Sequence, residues 1–260
     1  MMRFLAALLL MIMSTSIAIG DGLKKIEILE GWRKSDGSIV YGLKISLNDG
    51  WKTYWHTPGP MGLKPQFNFD GSLNIDSLNV LWPSPKVFGS SGFESIGYEN
   101  EVILPIITKA KVISDPINIK IKGIIGICYD VCVPIEFEAQ SELKIVSKDI
   151  NTDLLAALAN LPLSPSDIDK NRARCSVTFS PTGFKIEANI PYLENENSNI
   201  FFSIKGYQDV VSIEQPKQFT PGKIISATGE WFDKPNVKIN GDLITITHLF
   251  EGQVVEQNGC

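Results

Sequence analysis

Histidine is scarce in this chain of 260 residues: only His56 and His248 occur, which excludes a multi-histidine metal centre. Cysteine is scarce too, and four are too few to build a small disulfide scaffold in place of a core. Basic clusters are missing. The 24 Lys and Arg against 29 Asp and Glu leave a net charge of −5, with no Lys/Arg run that would seat nucleic acid or an anionic membrane. Beyond the first twenty residues no apolar stretch approaches the about 20 residues a spanning helix needs, so stable membrane insertion is not expected. No Ser-His-Asp order, Gly-rich phosphate loop or paired-carboxylate motif stands out. The apolar fraction of 43% and charged fraction of 20% are those of a globular protein and exclude disorder.

The amino terminus reads as an address. Arg3 precedes the apolar run from Phe4 to Met13, Ser14 and Ser16 interrupt it, and Ala18-Ile19-Gly20 supplies small residues ahead of Asp21. This is the pattern of a secretory signal peptide over residues 1–20. The expected mature chain is exported to a compartment where disulfides persist. No cysteine stands at the cleavage site, which argues against lipid attachment there.

Downstream, the dominant period is two. Ile39, Tyr41, Leu43, Ile45 and Leu47 alternate with polar or glycine neighbours, and the alternation returns in Ile117–Lys122 and from Ile135 to Val146. Such runs predict half-buried antiparallel strands. Asn48-Asp49-Gly50 and Asp70-Gly71 predict hairpin-type turns. One stretch breaks the rhythm: Asn151-Thr152-Asp153 before Leu154, Leu155, Ala156, Leu158 and Ala159 predicts a short capped helix, closed by Leu161-Pro162-Leu163-Ser164-Pro165. Strand patterning then resumes. The predicted class is mostly β: a β-sandwich over residues 21–148, a helical linker over 149–171, and a second, smaller β domain over 172–260.

The segment that carries chemistry is Cys128-Tyr129-Asp130-Val131-Cys132, between two strand-like runs. Fully extended, the two cysteines would stand about 13 Å apart. A disulfide needs Cα atoms about 4.4–6.8 Å apart, so the pair closes only at a bent strand tip. The chain-entropy value of so short a bridge is roughly 2 kcal/mol, against about 4.6 kcal/mol for a bridge from Cys175 to Cys260. That contrast favours chemistry over stapling for the short pair, while a redox pair, a structural bridge and metal ligation all remain open. Asp130 is a tuning candidate, since a carboxylate between the sulfurs raises a thiol pKa; a plain turn role is the alternative. The metal reading would add His56 or Met61 to the sulfurs as a soft copper(I) site. Cys175 and Cys260 either pair or leave Cys260 a free thiol. Trp51, Trp55 and Trp82 are expected in the core, and His248 on a strand surface.

A family resemblance sharpens this. Gly50-Trp51-Lys52-Thr53-Tyr54-Trp55, Pro58-Gly59, Gly62-Leu63, Leu81-Trp82-Pro83-Ser84-Pro85 and Gly97-Tyr98-Glu99-Asn100-Glu101-Val102-Ile103-Leu104-Pro105 occur in order ahead of Cys128-Tyr129-Asp130-Val131-Cys132-Val133-Pro134. Together they resemble the amino-terminal domain of the DsbD/ScsB thiol:disulfide interchange proteins over roughly residues 23–147. The second β domain resembles the extra domain of ScsB-like members more weakly. The resemblance implies an immunoglobulin-like sandwich with one redox-active pair, a thiol:disulfide oxidoreductase that needs no cofactor. Cys132 would form the mixed disulfide and Cys128 would resolve it. The implied partners are a separate transmembrane reductase component and periplasmic thioredoxin-like or disulfide isomerase proteins. An aromatic on a cap loop would shield the sulfurs, with Phe88 and Phe93 as the candidates. The three-residue spacing resembles the ScsB branch, which is associated with copper tolerance.

Overall fold

The computed structural model describes residues 22–59, 61–89, 94–143, 150–193, 198–207, 211–216, 220, 222–232, 239–250 and 252–260. The expected signal peptide lies outside the described residues.

In chain order the first unit carries β1 (Leu23–Arg33), β2 (Ile39–Leu47), β3 (Lys52–Tyr54), β4 (Gln66–Asn68), β5 (Ile75–Val80), β6 (Lys86–Phe88), β7 (Ser95–Glu99), β8 (Glu101–Ala110), β9 (Ile117–Cys128) and β10 (Cys132–Leu143). They form two sheets, β1-β2-β8-β5 and β10-β9-β3-β7-β6, with β4 also paired to β9. Side chains alternate across a strand, and this alternation builds the sandwich core. Tyr41, Leu43, Ile45 and Leu47 from β2 meet Ile117, Ile119, Ile121, Ile125 and Ile127 from β9, all buried.

The two Gly turns do not make hairpins. Asn48-Asp49-Gly50 leads from β2 to β3, and Asp70-Gly71 from β4 to β5; each carries the chain from one sheet to the other. Both glycines hold a positive φ, +79° at Gly50 and +90° at Gly71, so the turn chemistry is as expected and only its use differs.

The helix forms where expected, as α1 (Thr152–Ala159), with the Asn151 side chain accepting from Leu154 N at 3.1 Å. It is not a free spacer. Leu154 is fully buried against Val40 and Ile103, and so covers the outer face of β2 and β8. Further on, Leu163 N donates to Val254 O and Glu256 N donates to Leu163 O, both at 2.8 Å, which fastens the chain to the second unit.

That unit carries β11 (Arg174–Phe179), β12 (Gly183–Asn189), β13 (Asn199–Ile204), β14 (Val211–Glu214), β15 (Ile225–Trp231), β16 (Ile244–Phe250) and β17 (Gln253–Asn258). Its sheets are β11-β12-β15-β14 and β13-β16-β17, closed over Phe184, Ile186, Phe202, Ile204, Ile244 and Ile246. Phe201, Leu249 and Val254 belong instead to the core of the first unit, so the two sandwiches bury apolar surface against each other. The placing of His248 needs correction: it is 5% exposed rather than on a strand surface, because it lies opposite Ile200 and Val255 and shares the inner face of β16 with Ile244 and Ile246.

Cys175 and Cys260 form a disulfide with Cα atoms 5.4 Å apart, which settles the open choice in favour of pairing.

Candidate redox site

Strands β9 and β10 form one uninterrupted antiparallel hairpin, from Ile117 opposite Leu143 to Cys128 opposite Cys132. Tyr129-Asp130-Val131 is the turn. Cys128 and Cys132 are therefore the last cross-strand pair before a three-residue reversal, which brings their Cα atoms to 4.1 Å, and they are disulfide-bonded. The bent tip required by the spacing is this turn, and it faces solvent: Tyr129 is 58% and Val131 70% exposed. The two sulfurs sit in unequal surroundings. Cys128 is buried at 8% exposure, whereas Cys132, one strand outward on the sheet edge, is exposed.

On its other side β9 pairs with β3, where Lys52 stands opposite Cys128 and Thr53 opposite Ile127. Thr53 fixes this short pairing further, its buried hydroxyl donating to Gly126 O at 2.8 Å. Tyr54 lies two residues beyond Lys52 and so shares the outward face with Cys128. Its hydroxyl reaches both sulfurs, 2.6 Å from Cys128 Sγ and 2.9 Å from Cys132 Sγ. A disulfide sulfur carries no proton, so the phenol is the donor. Burial pushes the Tyr54 phenol above its ordinary value, which keeps it protonated and donating.

Two glycines leave room for that ring. A Cβ at Gly126 would meet Tyr54 Cε2 and Leu63 Cβ, each at 2.7 Å, closer than side-chain carbons approach. A Cβ at Gly62 would stand 2.9 Å from Tyr54 Cδ1. Gly62 and Leu63 therefore roof the tyrosine, with Pro58 packed against Gly62, and the exposure of Tyr54 is only 4%.

The remaining candidates fall as follows. Asp130 is exposed in the turn. Phe88 is half-buried on β6, with the Lys52 ammonium 5.2 Å above its ring. Phe93 lies outside the described residues. The aromatic on the sulfurs is Tyr54, which the sequence showed only as part of a motif. His56 is directed to the second unit: its Nε2 is 3.2 Å from Glu256 Oε2, and its ring lies tilted 45° to that of Trp55 with centroids 3.8 Å apart. Met61 is 55% exposed. Among the described residues no group of three His, Cys, Asp or Glu is placed to hold a metal ion. Trp55 is fully buried as expected, while Trp51 and Trp82 are partly buried against the core.

A disulfide at the exposed end of a β-sandwich hairpin, with one buried and one exposed sulfur, defines a class of thiol-bearing immunoglobulin-like domains. Residues 28–143 match the family described as "Thiol:disulfide interchange protein DsbD, N-terminal". Among solved structures, the N-terminal periplasmic domain of ScsB from Proteus mirabilis is similar in fold to both units. The match has a TM-score of 0.63 at 20% identity, covering 93% of this chain and 95% of that one. Comparison with curated proteins gives no match.

Proposed function

We propose that the protein is a periplasmic thiol–disulfide interchange module. In this reading residues 21–148 are the redox domain, 149–171 the linker and 172–260 an accessory domain. The single observation behind it is the asymmetric pair: a disulfide that closes without a deep pocket, with Cys132 open to a partner and Cys128 sheltered beneath the Tyr54 hydroxyl. The family match and the ScsB-like fold support the same reading.

Electrons enter when a dithiol of a membrane reductase partner reduces the Cys128–Cys132 bond. The Cys132 thiolate then attacks a disulfide of an oxidised thioredoxin-like or isomerase protein. The partner bond breaks, one of its sulfurs leaves as a thiolate and takes a proton, and a mixed disulfide forms at Cys132. Cys128 attacks the Cys132 sulfur, re-forms the internal bond and releases the partner's second thiol. Two electrons and two protons have passed to the partner, and no cofactor is needed because the sulfurs carry both. Tyr54 assists by donating to whichever sulfur bears negative charge.

The test is a trap. Reduced Cys128→Ser protein, mixed with a thioredoxin-like protein whose Cys-x-x-Cys pair is oxidised, is expected to give a covalent adduct that dithiothreitol dissolves, whereas Cys132→Ser gives none. Absence of an adduct with Cys128→Ser, together with a native pair that stays oxidised in strongly reducing buffer, overturns the function and leaves a structural bridge.

A further inference from the structure

The segment that roofs Tyr54 has a second face. Thr57, Pro58, Gly59, Gly62, Leu63 and Lys64 form one wall of a cleft of about 370 Å³, whose opposite wall is the second sandwich, with Phe202 on β13, Ile213 on β14 and Phe232 just past β15. Leu63 and Phe232 face into it from the two units and are 41% and 70% exposed. The floor is already ordered. The Gln215 side chain accepts from Phe202 N at 2.7 Å and donates to Phe202 O at 3.0 Å, pairing with β13 as a neighbouring strand would. The cleft therefore sets Leu63, Ile213 and Phe232 above an ordered floor, with Thr57, Lys64 and Ser212 as polar groups among its lining.

We propose that this cleft receives an apolar side chain from the oxidised protein that Cys132 attacks, so that the second sandwich supplies half of the docking surface. This rests on the interchange function above. The occupant follows from continuity with the sulfurs. Leu63 lies against the ring of Tyr54 over Gly126, and the Tyr54 hydroxyl is 2.9 Å from Cys132 Sγ, so one tyrosine side chain separates slot from sulfur. A mixed disulfide places a partner cysteine on Cys132. From there an extended chain advances roughly 3.3 Å per residue, which brings residues close to that cysteine over the slot. Exposed Val131 precedes Cys132 in the hairpin turn, so the sulfur has apolar surface beside it there and the roof beyond Tyr54 on the other side. Burying one apolar anchor at the centre of such a contact is how small interfaces gain most of their affinity.

The test uses the full reduced chain and two probes, an oxidised Cys-x-x-Cys thioredoxin-like protein and the small hydroxyethyl disulfide. Phe232→Ser and Ile213→Asp are expected to slow exchange with the protein probe about tenfold, the loss of one apolar anchor. The rate with hydroxyethyl disulfide, which needs no docking, stays within about twofold. An unchanged protein rate in both variants overturns the proposal, as does an equal loss with both probes, which would mean that the sulfur site was disturbed. A wild-type dimer that both variants dissolve without slowing exchange also overturns it, assigning the slot to a second copy of the chain. Wild-type protein that reduces neither probe overturns the interchange function itself, a result distinct from all of these.

Discussion

Tyr54 and Cys128 meet across two neighbouring strands, hydroxyl to sulfur at 2.6 Å, because Lys52 on β3 stands opposite Cys128 on β9 and Tyr54 follows on the same face. The contact brings a neutral donor to the sulfurs. A phenol held protonated by burial can donate to a disulfide, and to the thiolate that replaces it, without a change in its own charge.

Tyr54→Phe keeps the ring and removes the donor. A hydrogen bond to a charged group contributes about 1.5–3 kcal/mol, so the thiolate is expected to rise in pKa by about one unit or more. Its fraction at neutral pH then falls about tenfold per unit. The more basic thiolate is intrinsically a better nucleophile, which offsets roughly threefold of that loss and leaves exchange about threefold slower. Alkylation rate against pH on the reduced protein measures both quantities. A profile identical to wild type would show that the hydroxyl leaves the sulfurs on reduction.

Much of this architecture could be read from the residues, and the exceptions share a cause. The strand Ile39–Leu47, the Asn151 cap and the cysteine tip are local, set by alternation, capping chemistry and spacing. Tyr54 is not local. Its role depends on β3 pairing with β9 more than seventy residues away, and only that register puts it on the face of Cys128. The Gly50 and Gly71 turns look alike whether the next strand returns to the same sheet or crosses to the other. His248 alternates with Ile244 and Ile246 and lies opposite Ile200 and Val255 on the inner face of the second sandwich; only its polar ring pointed to water, and Tyr192, which covers it, comes from a distant segment.

The two disulfides are expected to answer differently to removal. Cys175 and Cys260 are 85 positions apart in sequence and join β11 to the residues beyond β17, where the Arg172 guanidinium also donates to Asn258 O and Gly259 O at 2.7 and 2.8 Å. Chain entropy gives this bridge about 4.6 kcal/mol against roughly 2 kcal/mol for the short one. The double variant Cys175→Ala, Cys260→Ala is therefore expected to lose several kcal/mol in urea denaturation yet keep its exchange rate. Cys128→Ala, Cys132→Ala is expected to lose the smaller amount, about 2 kcal/mol, and all exchange. Loss of exchange on removing the long bridge alone would assign redox work to Cys175 and Cys260.

Acid stability depends on the second histidine. The His248 ring is buried on β16 between the rings of Tyr192 and Phe250, each with its centroid 6.2 Å away, and its Nε2 has no hydrogen-bond partner. Desolvation lowers its pKa from 6.5 to about 4 in the folded chain. The unfolded chain thus binds the proton first as the pH falls. Stability is at its full value above about 6.5, declines through the interval, and levels off near 4 for this group. A gap of about 2.5 units corresponds to roughly 3 kcal/mol. Hydrogen bonds hold the carboxylates of Asp36, Asp49, Glu138 and Asp167 below their ordinary values, so what they contribute is lost at the acid end of the range. Replacing the ring by an apolar side chain in His248→Leu removes the titration while filling the site. Urea denaturation of both proteins from pH 4 to 7.5 is expected to show a falling stability in wild type that is flattened in the variant. Parallel curves would place the acid sensitivity in other groups.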